Sequence, residues 1–170
     1  PAKTQSALFE VMEERQVTVD GITYKMPSLY TIIATQNPIE QEGTYKLPEA
    51  QLDRFLMKII IDYPNADEEV EILKRHNSHS SFVNLDRVEP VLSSEDILNY
   101  RSLIDSMIVD ESLLRYISEI VQQTRNSRVI YLGASPRASV AILQASKGMA
   151  LLDGRDFVTP DDIKTVAPYV

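Results

Sequence analysis

The spacing of apolar residues changes character near residue 64. Before it, Leu8, Val11 and Met12, with the stem of Arg15, recur at three- and four-residue intervals, which predicts an amphipathic helix over 3–15. The pattern then alternates. QVTV and ITYK flank Asp20-Gly21, a pair that supplies the positive φ angles of a type I′ turn, so 16–25 reads as a two-residue hairpin. The β-branched runs LYTIIAT (29–35) and LMKIIID (56–62) read as buried strands. Past Tyr63-Pro64 every pattern is helical. Asn65 with Glu68 makes a capping box for 66–77. Ser94 precedes a stripe of Ile97, Arg101 through its stem, Ile104 and Ile108. Asp110 caps a helix with Leu113, Ile117, Ile120, Val121 and Thr124 on one face, and Ser135-Pro136 and Thr159-Pro160 open two more with Pro at the first helical position. The fold class expected is therefore α/β followed by all-α, with residues 1–64 carrying the strands, 65–170 all helical, and 78–92 the most mobile loop.

Composition narrows the function. At 170 residues and 44% apolar the chain can bury a core, as one domain or two small ones. A net charge of −8 without a basic cluster argues against nucleic acid, whose phosphates call for clustered Lys and Arg. The absence of Cys excludes disulfides, thiolate metal sites and Cys nucleophiles. No apolar run reaches the roughly 18 residues of a membrane span, so a soluble protein is expected, and the lack of Cys leans the expected compartment to the cytoplasm. The chain opens at Pro1 directly into a helical pattern, which reads as a fragment of a longer protein.

Few side chains suit chemistry. His76 and His79 lie three apart at a predicted helix end with no partner ligand nearby, and read as solvated rather than metal-bound. None of the five glycines opens a G-x-x-x-x-G-K-[ST] phosphate loop, and Asp62 after its apolar run is followed by Tyr63-Pro64, which reads as a strand end. Asn37, just past strand 29–35, could orient a water beside a phosphate or could simply initiate an Asn-Pro turn. Arg54 ends the short helix begun by Pro48, where a cation already suits the helix dipole. Arg137 is different, because it stands in the first turn of a helix, where the dipole opposes a cation by about 0.3–1 kcal/mol. Either a bound anion or a neighbouring carboxylate would compensate.

PAKTQSALFEVMEERQVTVDG, ATQNPIEQEGTYKLPEAQLDRF, GASPRAS and GRDFVTPDDI follow one another in the order and spacing of a known family. The chain resembles the second half of a MoxR-family AAA+ ATPase over nearly its whole length, with Lys46 the one departure inside the second motif. The resemblance implies an incomplete AAA+ P-loop core of helix, hairpin and two sheet strands, followed by an all-helical lid domain. It implies Asn37 as sensor 1, Arg54 as an arginine finger reaching the nucleotide of an adjacent subunit, and Arg137 as sensor 2. Those roles fit phosphoryl transfer, which is catalysed by positioning and by cationic neutralisation of the transition state.

The same resemblance places the Walker A and Walker B motifs upstream of Pro1. It implies ATP and Mg²⁺ as cofactors of the intact parent and none bound to the fragment, which is expected to be inactive alone. It further implies a hexameric ring, chaperone-like remodelling or maturation of client proteins, and von Willebrand factor A-domain proteins among the partners. Two alternatives remain at this stage: a non-catalytic helical interaction module of AAA+ ancestry, and a magnesium-chelatase-like motor subunit. In the AAA+ strand order 5-1-4-3-2, strands 29–35 and 56–62 are the fourth and fifth and are separated by a strand that these 170 residues do not supply.

Overall fold

The computed structural model describes residues 2–36, 48–77 and 88–170, with side-chain environments from Leu8 onward. Helix α1 (Ala2–Glu14) leads into the antiparallel hairpin β1 (Gln16–Val19) and β2 (Ile22–Lys25), in register Val17 with Tyr24 and Val19 with Ile22. The turn between them holds Asp20 at φ 50° and Gly21 at φ 78°, as Asp-Gly predicts. The hairpin is fastened to α1 by Glu10, whose Oε1 accepts from Thr18 Oγ1 at 2.6 Å and whose Oε2 accepts from the Thr18 amide at 3.2 Å. The Thr18 hydroxyl, more than any other contact, holds the Glu10 carboxyl below its ordinary range.

The short α2 (Glu49–Leu52) and α3 (Ala66–Asn77) follow, and then α4 (Ser94–Ser106), α5 (Glu111–Asn126), α6 (Pro136–Leu152) and α7 (Pro160–Val166), closed by a 3₁₀ turn at Ala167–Tyr169. Asn65 Oδ1 accepts from the amides of Asp67 and Glu68 while Glu68 Oε2 accepts from the Asn65 amide, the expected reciprocal cap. The cap of α4 is Ser93, one residue before the Ser94 that precedes the apolar stripe. The reason is reciprocity. Three residues after Ser93 stands Asp96, which bonds back to the Ser93 amide at 2.8 Å, whereas Ile97 follows Ser94 at that spacing and has nothing to return.

The core lies in the second half of the chain. Leu113, Ile117 and Val121 project from α5 at four-residue intervals, and Ala138, Ile142, Ser146 and Ala150 do the same from α6. Small residues on α6 allow close approach, and the buried Ser146 hydroxyl is satisfied by donating to Ile142 O at 2.7 Å. Ile163 and Val166 of α7 close the cluster with Met107 and Val158. Full burial of an aliphatic side chain contributes about 1.5–3 kcal/mol, so these positions dominate local stability. Beside them Ile108 forms a parallel bridge with Phe157. Asp162 completes the edge: it accepts from Nη1 and Nη2 of Arg155, at 2.9 and 2.6 Å, and caps α7 with Thr159. The Arg155 contact, foremost, holds the Asp162 carboxyl below its ordinary range.

Two expected strands do not form. Residues 29–35 and 56–62 enter no ladder, and β1–β2 is the one sheet among the described residues. A strand exists through its neighbours, and these two runs do not pair with each other. Ile33, Ile59, Ile60 and Ile61 accordingly stay exposed, at 87, 72, 75 and 90%. The Lys58 amide donates instead to Tyr169 O at 2.7 Å, tying this run to the end of the chain. Helix α3 also has no buried residue. The remaining architecture is a small hairpin-bearing part followed by a helical part, as expected of residues 1–64 and 65–170 apart from the two missing strands. Of the expected loop 78–92, residues 78–87 lie outside the described residues.

Candidate functional site

The segment Gly133-Ala134-Ser135-Pro136-Arg137 is built to hold one arginine in place. Gly133 lies against α5 so closely that a Cβ there would fall 2.6 Å from the Arg125 Cα, which only glycine avoids. The next residue is held at both backbone groups: the Ala134 amide donates to Thr124 Oγ1 at 2.9 Å and its carbonyl accepts from Arg125 Nε at 2.7 Å. Ser135 then caps α6 by accepting from the Arg137 amide at 3.0 Å, and Pro136 takes the first helical position. The Ser135 hydroxyl donates to Asp53 Oδ1 at 2.6 Å, joining the start of α6 to the residue that ends α2.

Arg137 and Arg54 meet on one carboxylate. Arg137 Nη2 donates to Glu13 Oε1 at 2.6 Å, and Arg54 Nη1 pairs with Glu13 Oε2. Arg54 lies two residues beyond the last residue of α2, and its guanidinium also sits 5.9 Å from the Phe9 ring centroid, one helical turn before Glu13 on α1. The compensation that Arg137 requires at a helix N-terminus is thus a carboxylate of this same chain. Glu13 has the mirror-image problem, being an acid in the last turn of α1, where the dipole opposes negative charge. Two charges, each disfavoured by its own helix, offset each other.

The three side chains line an open cavity of ≈ 410 Å³ whose other walls include Asp53, Phe55, Val140 and Gln144. Its charged lining residues are Glu13, Asp53, Arg54 and Arg137, two of each sign. Glu13 and Arg137 are each about half exposed, at 45 and 51%, so solutes can reach the pair from the cavity. The described residues contain no group of three His, Cys, Asp or Glu able to hold a metal ion.

Of the residues singled out in the sequence, Arg54 and Arg137 are brought together, and Asn37 lies outside the described residues. Glu13 and Asp53 were missed. A signal for Glu13 was present: an acid ending a helix is the same anomaly that drew attention to Arg137, with the sign reversed.

Comparison with known proteins places this geometry. Residues 1–57 match the family model of the ATPases associated with various cellular activities (AAA), and residues 122–170 match the AAA lid domain. The chain is 43% identical to the chaperone MoxR1 of Mycobacterium tuberculosis, over all of this chain and 46% of that protein. It belongs to the MoxR family of AAA+ ATPases. The uncharacterized protein YeaC of Bacillus subtilis is 47% identical over 98% of this MoxR-family chain and 51% of its own length. A crystal structure of a candidate ATPase from Cytophaga hutchinsonii superposes with a TM-score of 0.86 at 42% identity, covering all of this chain and 53% of that one. The chain spans about half the length of the curated relatives that it matches. No helix among the described residues is long and apolar enough to cross a membrane.

Proposed function

We propose that this chain supplies the phosphate-sensing and transition-state residues of a MoxR-type ATPase, which couples ATP hydrolysis to chaperone-like remodelling of client proteins. The observation that carries the reading is the convergence of Arg54 and Arg137, from opposite halves of the chain, on one solvent-reachable carboxylate. Two guanidiniums held side by side suit a phosphate, since each presents planar, always-charged donors. ATP with Mg²⁺ would supply the phosphoryl group. Arg54 then neutralises charge in the transition state as the arginine finger, Arg137 binds phosphate as sensor 2, and Asn37 orients the attacking water as sensor 1.

The shared cavity has a consequence for assembly. If Arg54 reaches the nucleotide of an adjacent subunit, Arg137 does so too, because both stand at the same face. A hexameric ring in the cytoplasm, acting on von Willebrand factor A-domain or other clients, fits this arrangement. The lid then extends from residue 65 and the α/β part ends at 64.

The test mixes full-length subunits. An Arg54→Ala subunit and a subunit with a disabled phosphate loop are each inactive alone. Activity restored on mixing supports action across the subunit boundary. No restoration, with mixed rings demonstrated by mass, overturns it.

A further inference from the structure

Glu13 does more than stabilise a surface. Three features set it apart from an ordinary ion-pair partner. It holds both arginines at once, through different oxygens. It and Arg137 both occupy helix ends whose dipoles oppose them, so this pairing is a poor choice for helix stability alone. And it leaves the cavity with no net charge: Glu13 and Asp53 cancel Arg54 and Arg137, so the site as it stands has little to attract a polyanion. Asp53 is engaged elsewhere, accepting from Ser135, which leaves Glu13 as the carboxylate that faces both guanidiniums.

We propose that Glu13 is a resident counter-anion standing where a phosphate binds, and that Arg54 and Arg137 pass from it to a polyphosphate in a single exchange. The inference rests on the phosphate-binding reading of the two arginines and adds a positioning residue to it. Glu13 keeps both guanidiniums aimed at one point while no phosphate is present. Because both let go of the same carboxylate, they engage the incoming anion together. The carboxylate also sets a threshold: an anion of low charge does not displace it, and a polyphosphate does.

Inorganic triphosphate titrated into the 170-residue chain at micromolar concentration and low ionic strength tests this directly. Glu13→Gln keeps the shape and removes the charge, so triphosphate affinity rises about tenfold, as expected for deleting one negative charge within a few ångströms at low salt. The gain disappears in Glu13→Gln combined with Arg137→Ala. A purely structural role for Glu13 would not raise affinity. If Glu13→Gln binds no more tightly than wild type while Arg54→Ala and Arg137→Ala each weaken wild-type binding, the counter-anion proposal fails and the reading of the arginines survives. If binding is indifferent to both arginines, both fail. A second measurement needs no variant: the ¹⁵Nε resonances of Arg54 and Arg137 in the wild-type chain should shift along one common binding curve. Movement of one without the other overturns the joint exchange.

Discussion

Arg137 and Glu13 stand 124 positions apart in sequence and 2.6 Å apart in space. The contact joins the start of a lid helix to the end of the first helix, and Ser135 with Asp53 makes a second join beside it. Farther away, Arg101 Nη1 donates to Ser28 O at 2.8 Å. Polar contacts therefore join the lid to the hairpin-bearing part, three through side-chain tips and one between backbone groups, from the Lys58 amide to Tyr169 O. Such contacts are easily exchanged for a ligand, unlike the apolar packing of Ile117, Ile142 and Ile163 within the lid.

Arg54→Ala in the full-length protein is expected to abolish turnover while lowering nucleotide affinity far less, because arginine fingers act chiefly on the transition state and contribute on the order of 10³–10⁵ in rate. Steady-state hydrolysis and nucleotide titration measure the two quantities separately. Near-normal turnover in a stable ring would remove Arg54 from the site.

Arg137→Ala should weaken nucleotide binding in the full-length protein with little change in lid stability. The Arg137–Glu13 pair is about half exposed and contributes less than about 1 kcal/mol. Removing a cation from a helix N-terminus returns a similar amount. A thermal melt shifted by more than a few degrees with unchanged affinity would mark Arg137 as a structural residue instead.

Gly133→Ala tests how the arginine is held. Its Cβ would meet the Arg125 backbone at 2.6 Å, so the loop must move, at a cost of about 1–3 kcal/mol by the usual scale of overpacking. The melting temperature falls, and nucleotide affinity falls with it because Ala134 and Ser135 move together. A neutral Gly133→Ala would show that the close approach is not required.

Acid sensitivity should trace to Asp162. Its carboxyl titrates lower in the folded chain than in the unfolded one, through Arg155 and then Thr159. A depressed folded value means that its stabilisation is complete above the unfolded range, about pH 4, and is lost as pH falls through the lower folded value. Asp162→Asn leaves Arg155 with Asp153 as its one carboxylate partner beside the Phe157 carbonyl, and the melting temperature should drop clearly at pH 7. That difference should narrow toward pH 3. A pH-independent difference would assign the loss to capping geometry rather than charge.

What could be read from the sequence was what is decided locally. Asp20-Gly21, Asn65 with Glu68, Ser135-Pro136 and Thr159-Pro160 act within four residues of themselves, and each does what its chemistry dictates. The cap of α4 is also decided locally, by the reciprocal bonds between Ser93 and Asp96. The pairing of Glu13, by contrast, was out of reach: an acid ending a helix is visible in the sequence, but its partners lie 41 and 124 positions away and nothing in the intervening pattern indicates which helix ends meet. Met107 rather than Ile108 enters the core because Ile108 is turned outward by its bridge with Phe157, again a distant partner.

Residues 29–35 and 56–62 provide the final expectation. A β-branched run such as Ile59-Ile60-Ile61 favours a strand only when neighbours supply hydrogen bonds and apolar cover, and here it is 72–90% exposed with no ladder. Exposed apolar runs with unpaired backbone groups recruit other chains. The two runs do not cover each other, so a second copy of this chain is the partner to expect when the 170 residues are isolated. Light scattering should show mass rising with concentration, and hydrogen exchange should show protection at 56–62 that grows with it. Replacing Ile59 and Ile61 by Lys places charge on the exposed run and should suppress association without altering the melt of the lid, whose core includes neither residue. A chain that stays monomeric at all concentrations, with 56–62 unprotected, would show that exposed β-branched residues alone do not drive assembly here.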